Sequence, residues 1–412
     1  MRFKEDTFGS LYAEPVRNGL TRPTAVRGEG YPMVNMGELF AYDHIADQPM
    51  ERVQLNHREL QVATLEPGDL LFARSSLTPE GVGKCSIVAS LPEVTTFESH
   101  LIRARLDRSR ADSRFYFYFF HSYYGRAAVQ SIAKQVGAAG LPGSKLAGLL
   151  VPRPAATEQA RIADVLAAYD DLIDNNRRRI KLLEDSVRLL FDEWFARRQL
   201  PPSLESRHDE QPLHLAVADL CIEVKTQVLP EAIDGDTPYI GLEHMPRRSI
   251  TLSDWGSATD VTSAKLRYAE GDVIFGKIRP YFHKVGIALT DGVCSSDAIV
   301  MRPRAESWRP LLLGLVSSDA FIAATAQGMK EGSKMPRADW KQMRAYSVCV
   351  PNARVLGAFN GVVEPVLQQV KTLSLQARAL RTARDLLLPR LMSGELTVCR
   401  PSSYACHAPA AR

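Results

Sequence analysis

The 412-residue sequence predicts a mixed α/β protein: two copies of one α+β domain, each trailed by a long helix, the two helices pairing as an antiparallel coiled coil. Three observations predict it. A set of short motifs recurs with a period of about 200 residues, two long stretches carry apolar residues at heptad spacing, and a proline-bearing polar segment separates the copies. The expected divisions are a first domain over 1–155, a helix within 156–199, a linker over 200–212, a second domain over 213–351, a helix within 352–396 and a disordered tail over 397–412.

Each half opens with an extended segment after a turn, Gly30-Tyr31-Pro32-Met33-Val34 and Thr237-Pro238-Tyr239-Ile240-Gly241. A Gly-Asp turn then leads into a β-like run, Gly68-Asp69-Leu70-Leu71-Phe72 and Gly271-Asp272-Val273-Ile274-Phe275. Gly83-Lys84 answers Lys284-Val285-Gly286, strand-like stretches run from Ser99 to Leu106 and from Ser296 to Arg302, and Gly143-Ser144-Lys145 answers Gly332-Ser333-Lys334. Both halves reach a proline after a β-like run, at Pro152 and Pro351. The aromatic run Phe115 to Phe120 reads as a buried helix or strand in preference to a base-stacking platform.

In the first helix the core positions are Ile162, Leu166, Tyr169, Ile173, Asn176, Ile180, Leu183, Val187, Leu190 and Trp194, in alternating steps of four and three. Thr157 is the expected N-cap. The second runs Phe359, Val363, Val366, Val370, Leu373, Ala377, Leu380, Arg384, Leu387 and Leu391. Pro365 is expected to start or kink this helix and Pro389 to close it. Asn176 either fixes the register of the pair, with Arg384 snorkelling at its edge, or lies where the coil frays and both meet water. At 1.5 Å per residue the span 162–194 is about 50 Å, a rod that would hold the two domains apart.

Composition narrows the function. A 45% hydrophobic and 24% charged chain folds, and the six scattered cysteines suit free thiols in a reducing cytoplasm. No stretch reaches the ~18 apolar residues of a membrane span, and the N-terminus carries no apolar core of a secretory signal. Net charge is only +4, and residues 352–412 hold eight Lys and Arg against three Asp and Glu, so any polyanion must meet local patches. Catalytic signatures are missing. Gly81-Val82-Gly83-Lys84-Cys85 lacks the first glycine and the final hydroxyl of a phosphate-binding loop. Cys399, Cys406 and His407 lack a fourth metal ligand. No metal and no catalytic residue is expected.

The candidate polyanion contacts are cationic. Lys277-Ile278-Arg279-Pro280-Tyr281-Phe282-His283-Lys284 sets cations beside aromatics after a strand, and Arg suits both phosphates and a guanine edge. Arg74 and Lys84 are the weaker counterparts in the first copy, and Lys145, Lys334 and Arg337 complete the set.

At these residues the sequence resembles a known family. Gly271 to Tyr281, with Lys284 and Cys294-Ser295-Ser296-Asp297, resembles the target-recognition domain of type I restriction–modification specificity subunits. Pro152-Arg153-Pro154 to Glu158-Gln159-Ala160-Arg161-Ile162 and Leu172 to Asn176 are similar to that family's central spacer helix, and Arg384 to Glu395 to its C-terminal one. The first copy departs in lacking the Arg-Pro-Tyr, and the second helix has Asn352-Ala353-Arg354 in place of Glu-Gln. The resemblance implies a non-catalytic cytoplasmic subunit. Each recognition domain would read half of a bipartite, asymmetric duplex-DNA site while the helical pair sets the gap. Partners would be two methylation subunits and two restriction/translocase subunits, with S-adenosylmethionine, ATP and Mg bound by those partners and none by this chain. The reading from a different class is a duplicated protein-binding scaffold without DNA.

Overall fold

The computed structural model describes residues 2–136, 140–204, 212–327, 335–350 and 352–398. The expected tail beyond Val398, the Gly332-Ser333-Lys334 motif and most of the linker lie outside them. The chain divides into two units, one of residues up to Asp171 together with those from Arg381, the other Leu172–Leu380.

In the first unit a five-stranded sheet runs in the order Arg17–Asn18, Leu101–Ala104, Leu70–Ala73, Cys85–Val88, His44–Ile45. A three-stranded sheet of Glu51–Val53, Arg27–Val34 and Thr96–Phe97 accompanies it. In the second unit the order is Cys221–Val224, Ala298–Pro303, Val273–Gly276, Val285–Ala288, Thr251–Leu252. This is the first sheet strand for strand, with the parallel edge pairing kept, His44 to Ile87 in one and Thr251 to Ile287 in the other. The duplication read from the motifs is therefore a duplication of topology.

The Gly-Asp turns explain why the motif is written twice. Gly68 and Gly271 have φ of +93° and +85°, where a β-carbon is disfavoured. The following aspartates are buried, at 1% and 2% exposure. Asp69 accepts the Glu66 N–H at 2.8 Å and both edges of Arg105 at 2.8 Å. Asp272 accepts the Ala269 N–H at 2.8 Å and Arg302 at 2.9 and 2.8 Å. One carboxylate thus closes the turn and grips the neighbouring strand.

The aromatic run forms the helix Ser113–His121, with all six rings buried. It has no stacking role open to solvent. Its counterpart in the second unit is Arg309–Ser317.

The first long helix runs Ala156–Phe191 and passes into a π-helical turn, Asp192–Ala196. It starts ahead of the expected cap. The Ala155 carbonyl accepts the N–H groups of Glu158 and Gln159, while the Gln159 side chain turns back to the Pro154 carbonyl at 2.9 Å. Thr157 therefore lies inside the helix.

The second runs Ala353–Met392 without a break. Pro365 does not start it: the helix begins twelve residues earlier, at Ala353, and runs on through the proline. Pro389 does not close it either: the helix continues to Met392, and the chain turns away at Gly394, φ +74°.

The predicted seam is largely inside. Ile162, Leu166, Ile173, Asn176, Val363, Val370 and Leu373 are buried, and Ile180, Leu183, Leu190, Leu380 and Leu387 half-buried. Within the first unit Leu388, Leu391 and Met392 pack with Ile162, Ala163 and Leu166. Within the second, Phe191 and Phe195 pack on Phe359. Early residues of one helix meet late residues of the other, as an antiparallel pair requires. Arg384 does not reach for water: it pairs with Asp170, which also accepts the Tyr118 hydroxyl at 2.7 Å, and with Asp385 at 2.8 Å.

Candidate nucleic-acid interface

The second unit's candidate residues sit on the turn joining Val273–Gly276 to Val285–Ala288. Arg279 and His283 hold left-handed backbone, both at φ +51°, and bracket the short turn Pro280–Phe282. Pro280 is buried and anchors the turn, which leaves Tyr281 exposed. The segment after residue 334 comes alongside. The Arg279 N–H donates to the Pro336 carbonyl at 2.9 Å, the Ala338 N–H to the Lys277 carbonyl at 2.8 Å, and Ile278 bridges to Arg337.

Lys277, Arg279, Tyr281 and Arg337 are thereby brought to one surface. Lys277 donates from Nζ to the Ser296 carbonyl at 3.0 Å and Arg337 pairs with Asp297 at 3.1 Å. The guanidinium of Arg279 has no acidic partner among the described residues. Lys334 lies outside them.

Lys284 is not part of that surface. Its Nζ donates inward to the Leu242 carbonyl at 2.5 Å. Lys84 does the same in the first unit, donating to the Phe40 carbonyl at 2.9 Å and pairing with Asp43 at 3.3 Å. His121 and Lys84 beside Asp43 hold its carboxyl well below the usual carboxylate range. The two lysines occupy equivalent places and brace equivalent turns.

The rest of the first unit's set is dispersed. Arg74 follows the strand Leu70–Ala73, half-buried, with its carbonyl accepting the Leu141 N–H at 2.7 Å. Lys145 stands exposed on the short helix Gly143–Ala147.

One side chain here escaped the sequence reading. Arg247 stacks on Phe282, its guanidinium carbon 3.9 Å from the ring centroid. The only signal for it is the pair Arg247-Arg248 after Met245-Pro246, an undistinguished basic doublet.

Among the described residues no group of three or more His, Cys, Asp and Glu stands where it could hold a metal. Cys399, Cys406 and His407 lie outside those residues. Burial pushes the Cys221 and Cys294 thiols up to about 12, so neither supplies a thiolate near neutrality. No single described helix is long and apolar enough to cross a membrane.

A duplicated α/β domain in which each long helix contributes to both units is a fold with solved counterparts. The type I restriction–modification S subunit from M. genitalium superposes with a TM-score of 0.59 at 14% identity, covering 95% of this chain and 96% of that one. The curated relatives are specificity subunits of type I restriction enzymes, the class to which the motifs pointed. The EcoKI specificity subunit of Escherichia coli K12 is 30% identical over 194 residues, 45% of this chain and 41% of that protein. The MjaIX specificity subunit of Methanocaldococcus jannaschii is 23% identical over 279 residues, 63% of each. The matched regions thus span about two fifths to three fifths of those relatives' lengths. No family model matches the sequence.

Proposed function

We propose that this chain is the DNA-specificity subunit of a type I restriction–modification complex. Each unit reads one half of a bipartite, asymmetric site in duplex DNA, and the helical pair sets the unread gap and docks two methylation subunits. Two restriction/translocase subunits complete the assembly in the cytoplasm. Chemistry belongs to the partners, which bind S-adenosylmethionine, ATP and Mg, and this chain binds none of them.

The observation that supports this best is one strand order occurring twice around differing turns. The two turns differ in length and content: the second carries Arg279 and Tyr281 around its Pro280–Phe282 turn, where the first has Thr78 and Glu80 around Pro79–Gly81. Equal scaffolds with unequal reading edges suit two unlike half-sites. In this reading Lys277, Arg279, Tyr281 and Arg337 meet DNA in the second half, and Arg74 and Lys145 in the first. Lys84 and Lys284 hold the turns in shape.

The test is co-expression of the chain with the methylation subunit of the same genome, followed by sequencing of modified bases. A split, non-palindromic motif with a constant gap is expected. A soluble complex that methylates nothing overturns the reading and leaves the scaffold in its place.

The two kinds of cation should separate on duplex DNA. R279A is expected to lower the slope of log affinity against log salt by about one, the effect of one phosphate contact. K284A is expected to leave the slope unchanged and cost about 1–2 kcal/mol of stability through the lost charged hydrogen bond. Filter binding between 50 and 200 mM salt, paired with urea denaturation, checks both.

A further inference from the structure

Four described residues other than glycine have positive φ, and three of them, Arg248 (56°), Arg279 (51°) and His283 (51°), lie in the two segments that meet at Phe282. Left-handed backbone at a residue with a β-carbon costs on the order of 1–3 kcal/mol and persists where its surroundings over-determine it, commonly at working sites.

The surroundings are explicit. The Arg248 N–H donates to the His283 carbonyl at 3.1 Å. Its guanidinium meets Asp319 at 3.1 Å and Nε2 of His283 at 3.3 Å. From the first long helix, Arg188 donates to the Arg248 carbonyl. The Glu184 carboxylate, only 5% exposed, accepts from the Ser249 hydroxyl at 2.7 Å and the Ile250 N–H at 3.2 Å. Burial pushes the Glu184 carboxyl up, opposed by the Ser249 and Ile250 hydrogen bonds and the Arg188 charge. Burial, with Arg248 and Arg188 nearby and Asp319 opposing, pushes the His283 imidazole down, so at neutral pH it is uncharged and accepts from Arg248.

Arg247 is carried on this braced segment yet is itself exposed. It lies 3.9 Å from the Phe282 centroid, with Arg279 at 5.9 Å from the same ring. Neither guanidinium has an acidic partner among the described residues. Stacking fixes the plane of a side chain that otherwise samples many rotamers, and leaves its paired N–H groups free at the edge. The complement of that edge is two adjacent acceptors, such as O6 and N7 of guanine in the major groove or two phosphate oxygens. A phosphate contact needs only charge. A fixed plane and a braced backbone favour the base.

We propose that Arg247, seated over the Phe282 ring, is a specificity-determining residue that reads a base edge in one half of the target, and that Glu184, Arg188 and Asp319 are the residues that position it. The proposal rests on the specificity-subunit reading. Its test uses the full chain with its methylation subunit and maps modified bases for the unaltered protein and for R247A, E184A and E184Q.

R247A is expected to keep one half-site and the gap intact and to relax discrimination at a single position of the other half-site by about tenfold or more. E184A is expected to relax that same position, and E184Q, which keeps an acceptor for Ser249 and Ile250, to restore it. A uniform drop of R247A methylation across all sequences, as a phosphate contact gives, overturns the proposal, as does an unchanged motif. E184A that lowers only the yield of complex overturns the positioning role. Absence of any split motif with the unaltered chain overturns instead the reading beneath it.

Discussion

A heptad inserted after Ile180 together with one after Leu373 is expected to lengthen the unread gap of the target by about three base pairs while both half-sites stay the same. Methylation of the original site should fall by two orders of magnitude or more. Seven residues add about 10 Å of helix, and duplex DNA rises 3.4 Å per base pair. Seven is also the number that keeps the seam in phase, so the faces of Ile173, Asn176 and Ile180 on one helix and of Val370, Leu373 and Ala377 on the other stay turned inward. The insertion points stand level. Phe195 packs on Phe359 with centroids 4.9 Å apart, Ile180 lies fifteen residues before the first, and Leu373 fourteen after the second. An insertion of three or four residues rotates the seam out of register and should yield little soluble complex. Sequencing of modified bases reads the result. A motif with its original gap would mean that the helices do not set the spacing.

The duplication was legible because its markers do backbone work that few residues can do. Gly68 and Gly271 supply the left-handed turn, Asp69 and Asp272 close it, and both must recur wherever the turn recurs. The seam was legible for the same reason, until the mismatch between 3.5 and 3.6 residues per turn accumulated. By the end of the second helix Leu388 is buried, where strict heptads select the half-buried Leu387. The prolines misled because a helix packed along its length by Phe359, Val363, Val370 and Leu373 is carried through Pro365 by that burial, against the local preference of one residue. The candidate contacts were legible as residue types and not as roles. Lys277 and Lys284 look alike in a basic stretch, yet each ties its Nζ to a different carbonyl, Ser296 for the one and Leu242 for the other, and only Arg279 and Tyr281 between them stand exposed without such a tie. Arg247 was out of reach altogether, since its stacking partner is 35 positions away and is presented by left-handed residues that are not glycine.

Removal of the Asp272 carboxylate should cost the unit Leu172–Leu380 about 3 kcal/mol, because three groups lose their acceptor at once. The Ala269 N–H is left unpaired in the turn, and both N–H edges of Arg302 lose their carboxylate. The Asp272 hydrogen bond is the largest influence raising the pKa of the Arg302 guanidinium, and its loss leaves that charge only the more distant field of Asp291. D272N keeps a carbonyl oxygen for the Ala269 N–H and should cost about half as much. The strand Val273–Gly276 begins at this turn and leads into Lys277, so the damage should also reach the turn that carries Arg279 and Tyr281. All four tryptophans, Trp194, Trp255, Trp308 and Trp340, belong to the same unit. Tryptophan fluorescence in a urea titration therefore reports on that unit selectively, and D272A should move its midpoint down. D69A breaks the equivalent pair in the first unit, where Arg105 also holds Glu66 at 2.6 Å, and should move the circular-dichroism transition while leaving the tryptophan midpoint where it was. An unmoved tryptophan midpoint in D272A would show that the recurring aspartate is kept for something other than the stability of the turn.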